Sequence, residues 1–151
     1  MLDLEIRLLL LTEQDVAVQI LVDCFGDKYK DAAPVDVSAT FSDYFYAPKS
    51  FIALYKGQYC GFVQSVRSPI HKDIYNILWL SVLPQFRRRG IAANMMAYAE
   101  HYITDTVFHG HNGSFILVAE YHSIYYENLG YTPGLLTYDN YPIMIKHIRN
   151  N

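Results

Sequence analysis

Cysteine is scarce in this chain: two residues, Cys24 and Cys60, stand among 151. Two thiols cannot build the disulfide framework that holds small secreted domains together, so free thiols in a reducing cytoplasm are expected. Long apolar runs are missing as well. No segment approaches the roughly 20 residues that a helix needs to cross a bilayer, and no membrane is expected as a partner. The apolar start, "MLDLEIRLLLLT", carries Asp3 and Glu5 ahead of its leucines. It has neither a basic leader nor a small-residue cleavage site, which argues against a targeting segment. There is no G-x-G-x-x-G and no G-K-[ST], so neither the dinucleotide fingerprint nor the P-loop is present.

Positive charge is also in short supply. Twelve Lys and Arg face fifteen Asp and Glu, a net charge of −3. Three of the twelve are consecutive, Arg87, Arg88 and Arg89; without them nine bases would face fifteen acids, a balance of −6. Residues 1–50 hold nine acids against four bases. A nucleic-acid binder shows a broad basic face, so no nucleic acid is expected as a partner. The pattern suits a small anionic ligand at one spot and a cationic one elsewhere. A solvated acidic surface is the plainer account of the N-terminal acids.

What is present is enough for a core. Hydrophobic residues make up 52% of the chain and charged residues 18%, which fits one globular domain over 1–151. "LEIRLLLL" reads as a strand. Thr12 offers a helix N-cap, and the apolar spacing of Val16, Ile20, Val22 and Phe25 predicts a helix over 12–25 stopped by Gly26. "KYKDAAPVD" reads as a loop, followed by a second helix over 36–46 that carries Phe41, Tyr44 and Phe45. "SFIALY" and "YCGFVQSVRS" flank a turn at Gly57, and "IYNILWLSVL" is a long strand ended by Pro84. A helix over 90–106, the buried strand "SFILVAE", the short helix "HSIYYENLG" closed by Gly130, and the strands "LLTY" and "YPIMIKHI" complete the order. The result is β-α-α-β-β-β-α-β-α-β-β, an α/β (α+β) fold. Lone Trp79 is expected in the core. His109 and His111 have no third ligand near them in sequence, so no metal is expected.

The arginine cluster sits where a strand ends and a helix begins, in "VLPQFRRRGIAANMM". First-turn amides have no intrahelical acceptor and, with the helix dipole, favour an anion such as phosphate. Gly90 lets backbone come close, small Ala92 and Ala93 leave room, and arginines add charged donors. A solvated basic turn is the alternative reading.

"VLPQFRRRGIA" resembles motif A of the GNAT N-acetyltransferase family, V-x-P-x-x-[RQ]-x-x-G-x-[GA]. Arg87 falls on the Arg/Gln place, Gly90 on the glycine and Ala92 on the Gly/Ala. "IYYENLGY" resembles the family's motif B, with Tyr126, Gly130 and Tyr131 on its tyrosine, glycine and aromatic places. The resemblance spans nearly the whole chain. It implies a mixed, mostly antiparallel sheet with a central splayed parallel pair, flanked by about four helices. It implies acetyl-CoA as co-substrate, with pyrophosphate on the amides of Arg88, Arg89, Gly90, Ile91 and Ala92 and on the Arg87 side chain. The pantetheine arm would bond Leu80 and Val82 in the strand Ile74–Leu83, which splays from Phe115–Ala119.

The implied reaction is direct attack of a primary amine on the thioester. Tyr126 takes the role of general acid toward the leaving sulfur. The family's upstream glutamate place is held by Asn76, which cannot accept a proton. Glu120, His122 on a shared helix face with Tyr126, or a water chain to Asp73 are the alternatives for the base. Ala119 stands near the place of an asparagine that touches pantetheine in many members. The acceptor would lie over the first helices, near Phe41, Tyr44, Phe45 and Tyr46, with Asp23, Asp31, Asp36 and Asp43 close in sequence. Aromatics with carboxylates suit a cationic small-molecule amine. A non-catalytic acyl-CoA sensor or interaction module is the competing reading. The family includes homodimers, and no pattern in this chain marks an interface.

Overall fold

The computed structural model describes residues 2–149. Among them are seven strands and four α-helices: β1 Leu4–Leu8, α1 Gln14–Phe25, α2 Ala32–Ala39, β2 Lys49–Tyr55, β3 Gln58–Arg67, β4 Ile74–Val82, α3 Ile91–Thr106, β5 Gly113–Val118, α4 Ser123–Asn128, β6 Thr132–Leu136 and β7 Pro142–Ile148. The strands form one sheet in the order β1-β2-β3-β4-β5-β7-β6. It is mostly antiparallel, with a parallel β4–β5 pair, which is the expected fold class. The chain divides into two compact units, residues 1–66 with 78–99 and residues 67–77 with 100–151. No helix among the described residues is long and apolar enough to cross a membrane. Cys24 and Cys60 are free thiols.

In the first unit β1 and β2 pair antiparallel from Leu4↔Tyr55 to Leu8↔Phe51, and β2 with β3 from Lys49↔Ser65 to Tyr55↔Gln58. Residues 50–53 and 60–65 are buried on both faces, as expected of a sheet covered on both sides. On one face Ile52 and Phe62 meet Ala17, Ile20, Leu21, Ala33 and Val37 of α1 and α2. On the other, Phe51 packs edge-on against Tyr98 of α3, with centroids 5.7 Å apart.

The start of α1 is set by Glu13, not by Thr12. The buried Glu13 carboxylate accepts both Arg7 guanidinium N–H groups (2.7 and 2.8 Å), the Leu10 amide (2.8 Å) and the Tyr59 hydroxyl (2.7 Å). Four donors, led by Arg7, hold its pKa down at about 2. Leu11–Glu13 accordingly form a 3-10 turn, and the α-helix begins at Gln14. The second helix also differs from expectation: it spans Ala32–Ala39, not 36–46. Pro34 lies in its first turn, where a missing N–H costs no helical bond, so a proline that reads as loop in sequence is a helix start in the fold. Short bonds end it, from Thr40 N to Val37 O and from Phe41 N to Ser38 O. Tyr44 and Phe45 therefore stand in a loop.

In the second unit, β4 and β5 pair in parallel from Ile74↔Ser114 to Asn76↔Ile116. The register ends there, while β4 runs on to Val82 and β5 to Val118. β5 pairs antiparallel with β7, from Gly113↔Ile148 to Val118↔Ile143, and β6 pairs with β7 from Thr132↔Ile145. β6 begins earlier than "LLTY" suggests; Thr137 instead closes a hairpin turn, its amide donating to Tyr141 O at 2.8 Å. Tyr75, Phe108 and Phe115 stack in series, at 5.8 and 5.7 Å. Glu100, buried, accepts from the Tyr131 hydroxyl and from Lys146 Nζ, both at 2.7 Å, and Lys146 also donates to Leu129 O at 2.9 Å. This cluster ties α3 and β7 to the C-terminal end of α4.

Candidate functional site

The first unit carries the strand–turn–helix that the arginines mark. β4 ends at Val82, Pro84–Phe86 form a 3-10 turn, and α3 starts at Ile91. Arg87 turns back on this segment: its Nε donates to Val82 O at 2.8 Å. Its guanidinium also reaches the Cys24 thiol, whose pKa is raised by burial and drawn down by that contact. The Arg87 side chain thus braces the turn, and the Val82 carbonyl is already bonded. Arg88 adopts φ +66° and Gly90 φ +76°, both left-handed. The turn leads straight into the first turn of α3, whose amides have no intrahelical acceptor. Arg88, Arg89 and Gly90 are exposed, Ala92 is half-buried and Ile91 buried. The Arg89 guanidinium lies over the Tyr55 ring, 5.2 Å from its centroid. The Gly90 carbonyl faces the helix and accepts from Asn94 N (3.1 Å) and Asn94 Nδ2 (2.7 Å). Leu80 is half-buried on β4.

Phe41, Tyr44 and Phe45 differ in burial. Phe41 is half-buried and packs on the α1–α2 core, whereas Tyr44 and Phe45 are 66% and 79% exposed. Tyr46 contacts both of these, at 5.3 and 5.1 Å between centroids. Trp79 packs against the α1–α2 core, as expected, but at its edge. It is half-buried and holds φ +59°, the left-handed region, inside β4. Its Nε1 donates to Asp36 Oδ2 at 2.9 Å. Sequence reasoning missed this pair; the single tryptophan in the chain was the available signal.

The second unit carries the motif of α4. Tyr126 is half-buried, its ring 5.5 Å from Tyr125 and 6.1 Å from Tyr131. Burial, then the neighbouring Tyr125, raise its pKa above the ordinary tyrosine value, so the phenol stays protonated at neutral pH. His122 is exposed at φ +66° in the cap position before Ser123, so it is not on the helix. The shared helix face expected for His122 and Tyr126 does not form, because a left-handed residue interrupts the helical path. Glu120 is exposed, two residues past the end of β5. Ala119 is buried and donates its amide to Pro142 O at 3.0 Å. Asn76 Oδ1 is buried without a hydrogen-bond partner among the described residues. Asp73 is engaged by backbone: its carbonyl accepts from Ser114 N and its amide donates to His71 Nδ1. No group of three His, Cys, Asp or Glu suited to a metal ion occurs among the described residues. Glu100, which anchors Tyr131, was not legible as part of this unit from sequence.

The profile of the GNAT acetyltransferase domain matches residues 47–133. That is more than half of the chain, and the chain belongs to this family. Comparison with curated protein sequences finds no match. Solved structures share the fold. A GNAT-family chain from Desulfovibrio desulfuricans superposes with TM-score 0.78 at 14% identity, covering 98% of this chain and 99% of that one. The PaiA N-acetyltransferase of Thermoplasma acidophilum, in complex with coenzyme A, gives 0.72 at 16% identity over 96% and 99%. A GNAT-family acetyltransferase of Brucella melitensis, in complex with acetyl-CoA, gives 0.69 at 14% over 98% and 93%. At these identities the likeness is one of fold.

Proposed function

We propose that this protein is an acetyl-CoA-dependent N-acetyltransferase that moves an acetyl group to the primary amine of a small molecule. The observation that carries the reading is the Arg87–Gly90 turn. It pairs two left-handed residues with the start of α3, inside the segment matched by the GNAT domain. Coenzyme A and acetyl-CoA in the Thermoplasma and Brucella relatives support the choice of co-substrate. Backbone amides of Arg88–Ala92 hold the pyrophosphate, Arg87 keeps the turn in shape, and β4 offers Leu80 and the amide of Val82 to the pantetheine arm. The amine nitrogen attacks the thioester carbonyl, the C–N bond forms and the C–S bond breaks. Tyr126, protonated at neutral pH, gives its proton to the leaving sulfur. The proton on nitrogen leaves to water or through Glu120 or His122, both exposed. Two free thiols fit a reducing cytoplasm.

A second reading, an acyl-CoA sensor, is favoured by Asn76 in the family's glutamate place. One assay separates them. Thiol release from acetyl-CoA is followed against a panel of primary amines, with a coenzyme A titration on the same sample. Turnover with an amine supports the transferase. Tight coenzyme A binding with no turnover across the panel supports the sensor, and no binding refutes both.

A further inference from the structure

The strained tryptophan leads to a second site. A bulky residue at φ > 0 is strained and persists only where its surroundings hold it. Trp79 is held from three sides, all within the first unit. Asp36 takes its indole N–H at 2.9 Å, Phe25 meets its ring at 5.4 Å and 79°, and Tyr29 at 5.5 Å and 86°. Phe25 and Tyr29 are themselves 6.1 Å apart at 77°. The three rings meet at near right angles, and one of them is bonded to a carboxylate. Phe25 remains 39% exposed, and Tyr29 and Asp36 are half-buried, so the cluster is open to solvent. It already carries a primary ammonium, since Lys28 Nζ lies 5.0 Å from the Tyr29 centroid. The surrounding chain favours cations: residues 23–36 hold four aspartates against two lysines.

We propose that Trp79, Phe25, Tyr29 and Asp36 seat the acceptor, and that the acceptor is a primary amine on an aromatic body, an arylalkylammonium. Aromatic faces attract a cation and pack a flat apolar group, while one carboxylate pairs one ammonium. A polyamine or a sugar polyamine needs several spaced carboxylates held against it, and of the four aspartates in 23–36 the one bonded to the ring cluster is Asp36. The position suits the chemistry. At about 3.3 Å per residue, Trp79 lies about 10 Å back along β4 from Val82, on the strand that carries the cofactor's arm in the function proposed above. The assignment of an acceptor rests on that function; the binding site does not. It is an alternative to the Phe41, Tyr44 and Phe45 expectation.

Trp79 is the only tryptophan, so its fluorescence reports on the seat without turnover. The probe is 2-phenylethylamine at pH 7, with 2-phenylethanol as its uncharged counterpart. Asp36→Asn keeps an oxygen for the indole N–H and removes the charge. The expected result is a saturable change in Trp79 emission with the amine, and binding at least tenfold weaker for the alcohol. In Asp36→Asn the amine should weaken by about tenfold and the alcohol stay unchanged, with the unfolding temperature preserved. In turnover, the same variant should raise KM for the amine and leave coenzyme A affinity unaltered. No saturable emission change, or equal amine binding by wild type and Asp36→Asn, overturns the seat. Failure to bind coenzyme A overturns the transferase reading instead, and the fluorescence titration still decides the seat.

Discussion

Gly90 sits at φ +76°, and so does Gly110 in the exposed loop before β5. The two glycines give a matched pair. A valine in the left-handed region costs roughly 1–2 kcal/mol against a right-handed or extended conformation. At Gly110 a Cβ would meet nothing within 4 Å, so that cost falls on stability alone. Gly110→Val should lower the unfolding temperature by roughly 2–8 °C, taking about 2–4 °C per kcal/mol for a chain of this size. Its coenzyme A affinity should be unchanged. Gly90→Val has two outlets for the same strain. If the turn keeps its shape, stability falls as at Gly110. If the turn relaxes, the amides of Arg88–Ala92 lose their alignment and the cost moves to binding. At 1.4 kcal/mol per tenfold, coenzyme A would then bind roughly 5- to 30-fold more weakly. Intrusion of the side chain on the anion would add to that loss. Calorimetric titration with coenzyme A and thermal unfolding on both variants read the two outlets. If Gly90→Val keeps coenzyme A affinity within twofold of wild type and its unfolding temperature does not fall as that of Gly110→Val does, neither outlet is taken and the phosphate cradle is refuted.

Tyr126→Phe should cut turnover by 100-fold or more and leave coenzyme A affinity within about twofold; near-normal kcat would mean that Tyr126 is not the acid. In the wild type, the alkaline limb of kcat set by Tyr126 should lie above pH 10, because burial raises this phenol above the ordinary value of 10. Glu13 supplies a stability prediction. Its folded pKa is lowered from 4.5 to about 2, so its contribution is present above pH 4.5 and is lost as pH falls through 2. At 1.36 kcal/mol per pH unit this amounts to about 3 kcal/mol. Urea unfolding of Glu13→Gln should show that deficit at pH 7 and little at pH 2; a constant deficit across the range would mean the charge is not the cause.

Where the chain encodes structure locally, the sequence alone was sufficient. Pro84 cannot continue a strand, Gly90 permits the left-handed turn, and the apolar spacing from Ile91 calls for a helix, so the strand–turn–helix at 74–106 was legible. The hairpin at Gly57 and the closure of α4 at Gly130 follow from the same short-range rules. These features also carry the family resemblance that the domain match establishes. Tertiary structure decided what depends on residues far apart. Asp36 and Trp79 are 43 positions apart, and their bond holds a backbone angle that no propensity would assign to tryptophan. Glu13 draws donors from 3, 6 and 46 residues away, and that gathering moves the start of α1 past Thr12. Glu100 reads as one more surface acid on a helix until Tyr131 and Lys146 reach it across 31 and 46 residues. Pro34 looks like loop until α2 is built around it. In each case the partners meet through strand register and helix packing. Those are set by the summed burial of many side chains, so no short stretch of sequence contains them.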